Sequence, residues 1–235
     1  MTHEMLQGKK AVIFDMDGTL IDSIGVWNEA DRLLARELTG QAPDVEELQR
    51  LRDGALRRFQ GEANPYLAYC ELLREQYGVS RTAEEIYARR YEIAHGLLEK
   101  LDYKPGADKL LHRLKQAGYI LVLATTTRRR SIDLYRTRNR NLMEKAPLDG
   151  LFDKIYTCED VQNIKPDPEI YQRIFAELGL TAEQCIVFED SLIGVQAAKN
   201  AGIEVAAVYD KHSDGEREAI NALADWQIHS FEELL

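Results

Sequence analysis

Asp15 and Asp17, spaced by two, end the apolar run of residues 11–14, and Gly18 and Thr19 follow at once. Two carboxylates this close repel each other and are costly to desolvate together, and a fold tolerates them most easily when a cation sits between them. A second acid pair, Glu189 and Asp190, ends the apolar run 185–188. Acids at a helix start often serve only the helix dipole. The same pattern at two strand ends suggests that they share one cation. Thr125, Thr126 and Thr127 close a third apolar run. Their hydroxyls could donate to a phosphate oxygen or cap the next helix. Lys165 stands in Asn-Ile-Lys-Pro-Asp-Pro, residues 163–168, either as a solvated surface charge or as a point charge facing an anion.

These groups need elements that bring them to one place. Apolar, strand-like runs occur at 11–15, 119–124, 152–156, 185–188 and 203–208, and helical patterns lie between them at 107–117, 168–178, 191–201 and 216–224. Strands alternating with helices predict an α/β protein with a doubly wound parallel sheet, helices on both faces, and ligands at the carboxyl ends of the strands. The rhythm breaks from 22 to 102, where the sequence is helix-compatible throughout, as at 26–38, 45–51, 66–77 and 83–101. Such an interval far exceeds an ordinary connection of about 2–6 residues. The expected division is therefore a core of 1–21 and 103–235 and a helical subdomain of 22–102, inserted so as to sit over the active end of the sheet.

Composition narrows the function classes. The chain has 235 residues, 45% hydrophobic and 30% charged, with a formal net charge of -10. That balance suits a globular protein with a sizeable core and disfavours nucleic acid and anionic membrane as partners. No apolar run approaches the ~20 residues of a membrane span, and the first ten residues lack the apolar segment of a secretory signal. Cys70, Cys158 and Cys185 are widely spaced, which argues against disulfides and zinc and for a reducing cytoplasm. A monomer is expected.

Four motifs in this order, each at a strand end, resemble the haloacid dehalogenase-like superfamily. They are Asp15-Met-Asp-Gly-Thr19, Thr125 after the second strand, Lys165-Pro-Asp-Pro168 before a helix, and Glu189-Asp190 before the helix with Gly194, Ala197 and Ala198. The resemblance is to the capped branch that holds beta-phosphoglucomutase and phosphoglycolate phosphatase. It implies a Rossmann-like core with an inserted α-helical cap, and a phosphatase that acts on a small phosphorylated metabolite through an aspartyl-phosphate. It implies Asp15 as nucleophile, Asp17 as general acid and base, and Thr125 and Lys165 at the transferring phosphoryl group. Mg2+ would be held by Asp15, Asp190 and the backbone carbonyl of Asp17, with Glu189 close by. Gly18, Thr19, Thr126 and Thr127 would contact phosphate, with Arg128 as an anion-binding rim and Arg57 in a cap specificity loop, residues 54–57. Related mutases carry a cap histidine where this chain has Trp27. That departure favours hydrolysis over the alternative of intramolecular phosphoryl transfer on a sugar phosphate. A non-enzymatic phospho-acceptor or degenerate binding domain is the remaining alternative. The arginine-rich stretch 128–140 reads as a solvated helix face.

Overall fold

A computed structural model describes residues 4–41, 43–59 and 64–235. The chain divides into two compact units, one of residues 1–23 and 100–235 and the other of residues 24–99.

The first unit is built on a parallel sheet of six strands: β1 (Ala11–Phe14), β2 (Ile120–Ala124), β3 (Lys154–Tyr156), β4 (Cys185–Glu189), β5 (Glu204–Val208) and β6 (Trp226–Ile228). Their spatial order is β3-β2-β1-β4-β5-β6, and every pairing is parallel. β1 is buried along its whole length because helices cover both sheet faces, which is why it reads as an unbroken apolar run. On one face Ile13 and Val187 pack with Tyr171, Ile174, Val195 and Ala198 from the helices Glu169–Leu178 and Leu192–Asn200. On the other, the Phe14 and Phe188 rings stack 5.0 Å apart, and Phe231 lies 5.7 Å from Phe188. Each such buried ring contributes roughly 1.5–3 kcal/mol. The chain reverses direction across the sheet between β1 and β4, so the crevice at their carboxyl ends is the place where this topology binds ligands.

The second unit is helical throughout: α1 (Ile24–Thr39), α2 (Val45–Arg58), α3 (Pro65–Tyr77) and α4 (Ala83–Leu98). Its boundaries follow local chemistry. Asp44 caps α2 through the Glu46 amide, Pro65 opens α3, and Gly78 closes it in the left-handed region. Thr82 and Glu85 form a reciprocal capping box at the start of α4. Leu34, Tyr69, Leu73 and Ile86 make the core of this unit.

The structure departs from the sequence expectation in two places. Residues 54–57 are not a loop; they lie in α2, where Ala55 packs into the unit's core. The strand β6 was not anticipated, because only Ile228 of its three residues is buried. The arginine-rich stretch forms α5 (Arg129–Thr137) and α6 (Arg140–Lys145); its arginines lie on the solvent side as expected, and the inner face of α5 buries Ile132, Leu134 and Tyr135. No helix of the described residues is long and apolar enough to cross a membrane.

Candidate active site

Register brings the acids together. Phe14 of β1 pairs with Phe188 of β4, and the amide of Asp15 donates to the Phe188 carbonyl at 3.0 Å. Asp15 therefore leaves the sheet beside Glu189 and Asp190 although they are far apart in sequence. One carboxylate oxygen from each of the three can be chosen so that all lie within 4.8 Å of one another. All three residues are buried. Lys165 reaches into this cluster from the loop before the helix Glu169–Leu178. Its Nζ donates to Asp15 Oδ1 at 2.8 Å, Glu189 Oε1 at 2.6 Å and the Ala124 carbonyl at 2.8 Å. The lysine is 4% exposed, so its charge serves the cluster and not the solvent.

One cation against three carboxylates leaves an excess of buried negative charge. Burial pushes the Asp15 carboxyl up to about 7; Glu189 and Asp17 add to the rise, and Lys165 works against it. Asp190 is also raised well above the usual carboxylate range, chiefly by burial and then by Glu189 and Asp15.

The three acids are engaged differently. Glu189 Oε2 accepts from the amides of Asp190 at 3.1 Å and Ser191 at 3.3 Å and from the Ser191 hydroxyl at 3.1 Å. Its other oxygen holds Lys165. Asp190 Oδ1 accepts from the Thr19 hydroxyl at 2.7 Å and Oδ2 from Ser213 at 3.4 Å. Gly194 explains itself here: a Cβ on it would lie 2.0 Å from the Glu189 carboxylate, so the helix Leu192–Asn200 can approach only with glycine at that position. Ser191 caps that helix through the Gly194 amide.

A hard, all-oxygen donor set with surplus negative charge fits a magnesium ion, which prefers oxygen ligands and few carboxylates. Asp15 and Asp190 fit best, because the hydrogen bonds of Glu189 already go to Lys165 and to the start of the next helix.

Asp17 stands apart from the cluster. Its carboxylate accepts from the hydroxyls of Ser23, Thr127 and Tyr135, the last at 3.0 Å. Thr127 and Thr19, anticipated at a phosphate, thus direct their hydroxyls to Asp17 and Asp190. Thr125 is buried just past β2; its amide donates to the Tyr156 carbonyl and its hydroxyl accepts from the Thr127 amide at 3.1 Å. Gly18 turns the chain at φ +85°, with its amide on the Ile21 carbonyl at 2.9 Å. Thr126 and Arg128 are exposed on the same loop. Arg57 belongs to α2, and its side chain lies outside the described residues. In the helical unit, Trp27 packs edge-on against Tyr91 at 5.4 Å and under the Arg90 guanidinium at 4.9 Å. Sequence reasoning missed Ser23, Tyr135 and Ser213. Nothing in their local pattern distinguishes them from ordinary loop or core residues.

Residues 12–208 match the family described as haloacid dehalogenase-like hydrolase. A "Phosphorylated carbohydrates phosphatase" from Thermotoga maritima is 35% identical over 207 residues, 88% of each chain. Among solved structures, a Thermotoga maritima protein provisionally named a beta-phosphoglucomutase is 32% identical, with a TM-score of 0.75 over 96% of both chains. CbbY from Rhodobacter sphaeroides, solved with phosphate, is 26% identical, with a TM-score of 0.70 over 96% of both. The chain belongs to the haloacid dehalogenase-like hydrolases. Within that family it is a phosphatase enzyme.

Proposed function

We propose that this phosphatase is magnesium-dependent and hydrolyses the monoester of a small phosphorylated carbohydrate or polyol through an aspartyl-phosphate on Asp15. The observation that carries this reading is the buried meeting of Asp15, Lys165, Glu189 and Asp190 at the switch point of the sheet, with Asp17 two residues from Asp15 and held separately. The substrate class rests on the 35% identical relative.

The chain's own residues supply most of the reaction. Asp15 attacks phosphorus as its ester bond breaks. Asp17 protonates the departing alkoxide and then takes a proton from the water that cleaves the acyl phosphate, so the enzyme returns to its starting state. Lys165 offsets the charge on the oxygens of the transferring group, and the Thr125 hydroxyl donates a hydrogen bond to them. Asp15 and Asp190 would hold the magnesium ion, which supplies Lewis-acid stabilisation of the charge on phosphate. Residues 24–99 are read as the family's inserted cap. The mutase alternative calls for an acid–base group at position 27; Trp27 offers only an aromatic ring that packs on Tyr91.

The test is a phosphatase screen over a panel of sugar, polyol and nucleoside monophosphates, with magnesium and with EDTA. Release of phosphate from sugar or polyol esters that stops with EDTA is expected. Equal release with EDTA, or phosphate transfer within a sugar without release, would contradict the proposal.

A further inference from the structure

The arginine-rich helix α5 has no part in the reaction proposed above, yet one of its residues reaches the site. Its arginines face outward: Arg129 pairs with Asp160, and Arg136 pairs with Asp149 at 2.8 Å. Its inner face buries Tyr135, which is 1% exposed and donates its hydroxyl to Asp17 Oδ1 at 3.0 Å. Ser23 donates to the same oxygen and Thr127 to Oδ2. Three hydroxyls from three separate segments thus converge on one carboxylate that is otherwise free to rotate about its Cα–Cβ and Cβ–Cγ bonds.

We infer that Tyr135 is a positioning residue of this enzyme: with Ser23 it anchors Oδ1 of Asp17, so that Oδ2, with a single donor, is the oxygen that exchanges the proton with the leaving group and with water. The inference rests on the phosphatase reading above and deepens it. Direction of the bond supports it. A carboxylate oxygen can only accept, so the Tyr135 phenol is the donor of this bond. An oxygen that already accepts two hydrogen bonds is a poor site for a proton; the oxygen with one has a lone pair left. A general acid must hold its proton within hydrogen-bond reach of the departing oxygen, and its orientation governs how much it contributes. On this view α5 is a bracket. Its outer ion pairs fix the helix, and the fixed helix carries one phenol to the acid.

The test is Tyr135→Phe, assayed on two esters in the presence of magnesium: the fastest alkyl phosphate of the metabolite panel and p-nitrophenyl phosphate. An alkoxide needs protonation to leave; p-nitrophenolate does not. A mispositioned acid should therefore be felt on the alkyl ester far more than on the aryl one. General acid catalysis supplies roughly 10²–10⁴-fold, and loss of one of three anchors should forfeit about 10-fold in kcat/KM on the alkyl ester. The ratio kcat/KM reports only the steps through departure of the alcohol, so the later attack of water, which Asp17 also serves on both esters, does not enter it; on p-nitrophenyl phosphate the loss in kcat/KM should stay under about 3-fold, since that leaving group draws little on the acid. Equal losses on both esters, or no loss on either, would overturn the inference. Should Tyr135→Phe fail to fold, Ser23→Ala reads the same oxygen and should give the same unequal losses. A wild-type protein that turned over neither ester would sink the phosphatase reading and this inference with it. A wild-type protein active on both, with a Tyr135→Phe variant indistinguishable from it, would sink this inference alone.

Discussion

Two of the charge clusters buried among the described residues are built on opposite accounts. In the helical unit Asp31, 1% exposed, accepts from Arg90 at 2.6 and 3.2 Å and from Arg52 at 2.8 Å. The Arg90 guanidinium also lies over the rings of Trp27 at 4.9 Å and Tyr66 at 5.3 Å. There one acid meets two bases, and aromatic faces add to the attraction for positive charge. In the α/β unit three acids meet one base, Lys165. A buried cluster that only holds a fold needs its charges matched, because each unmatched one is left desolvated. The first cluster comes nearer to that balance with its own residues: Arg90 is bidentate on Asp31, the second base, Arg52, is 13% exposed, and aromatic faces lie against the Arg90 guanidinium. The second leaves its acids unmatched and puts them at the carboxyl edge of the sheet. The difference separates a structural ion cluster from one organised around something brought from outside.

The largest effect should come from Asp15→Asn. It removes the nucleophile, since an amide cannot take its place. Turnover should fall by more than about 10⁴-fold in a steady-state assay. The metal-free variant should melt no lower than the wild type, because one unmatched buried charge has been replaced by a neutral group of the same shape.

Next comes a paired truncation. Arg90→Met takes the bidentate partner from Asp31 in the core of the helical unit, leaving it Arg52 alone, and should cost about 3 kcal/mol in urea unfolding. Lys165→Met should do the reverse of a structural change. It should lower kcat by about 10³-fold, on the scale of losing a fixed electrostatic donor, and leave magnesium-loaded protein folded. Stability losses of the same size in both variants would erase the distinction between the two clusters.

A smaller effect is expected from proton competition. Asp15 is raised to about 7 in the folded chain, so between about 4 and 7 the folded state binds more protons than the unfolded one. Stability of the metal-free protein should therefore fall as pH rises through that window. Magnesium should reverse the trend: its thermal stabilisation, measured by melts with and without EDTA, should grow from pH 5 to pH 8. A shift that is flat with pH would mean that the ion does not sit on these acids.

The smallest change is Gly194→Ala. A methyl 2.0 Å from the Glu189 carboxylate forces the helix or the acid to move. The expected cost is about 1–3 kcal/mol in unfolding, with a loss of activity as Glu189 shifts away from Lys165.

Much of this arrangement was legible in the residues themselves. Apolar runs that stop abruptly at acids mark β1 and β4, and a parallel sheet puts such ends side by side. In-register pairing of Phe14 with Phe188 then brings Asp15 to Glu189 and Asp190. Lys165 was identifiable only through the motif around it; a lone lysine in a loop carries no signal of burial. Tyr135 was hidden for a physical reason. A tyrosine on the inner face of an amphipathic helix looks like any core residue, and only the fold reveals that its hydroxyl meets Asp17. Residues 54–57 misled because the family resemblance put a specificity loop there, whereas the packing of Leu48, Ala55 and Leu51 in the unit's core holds α2 through them. β6 was invisible because three residues with one buried side chain are too few to show a period.

The most direct measurement is the site of covalent phosphate. The Asp17→Asn variant, unable to activate water, should accumulate phosphoenzyme when mixed with magnesium and a good phosphoryl donor. After an acid quench, intact mass should show one added phosphoryl group, and peptide mapping should place it on Asp15. A protein that turns over substrate without ever carrying phosphate, or that carries it on another residue, would contradict the account.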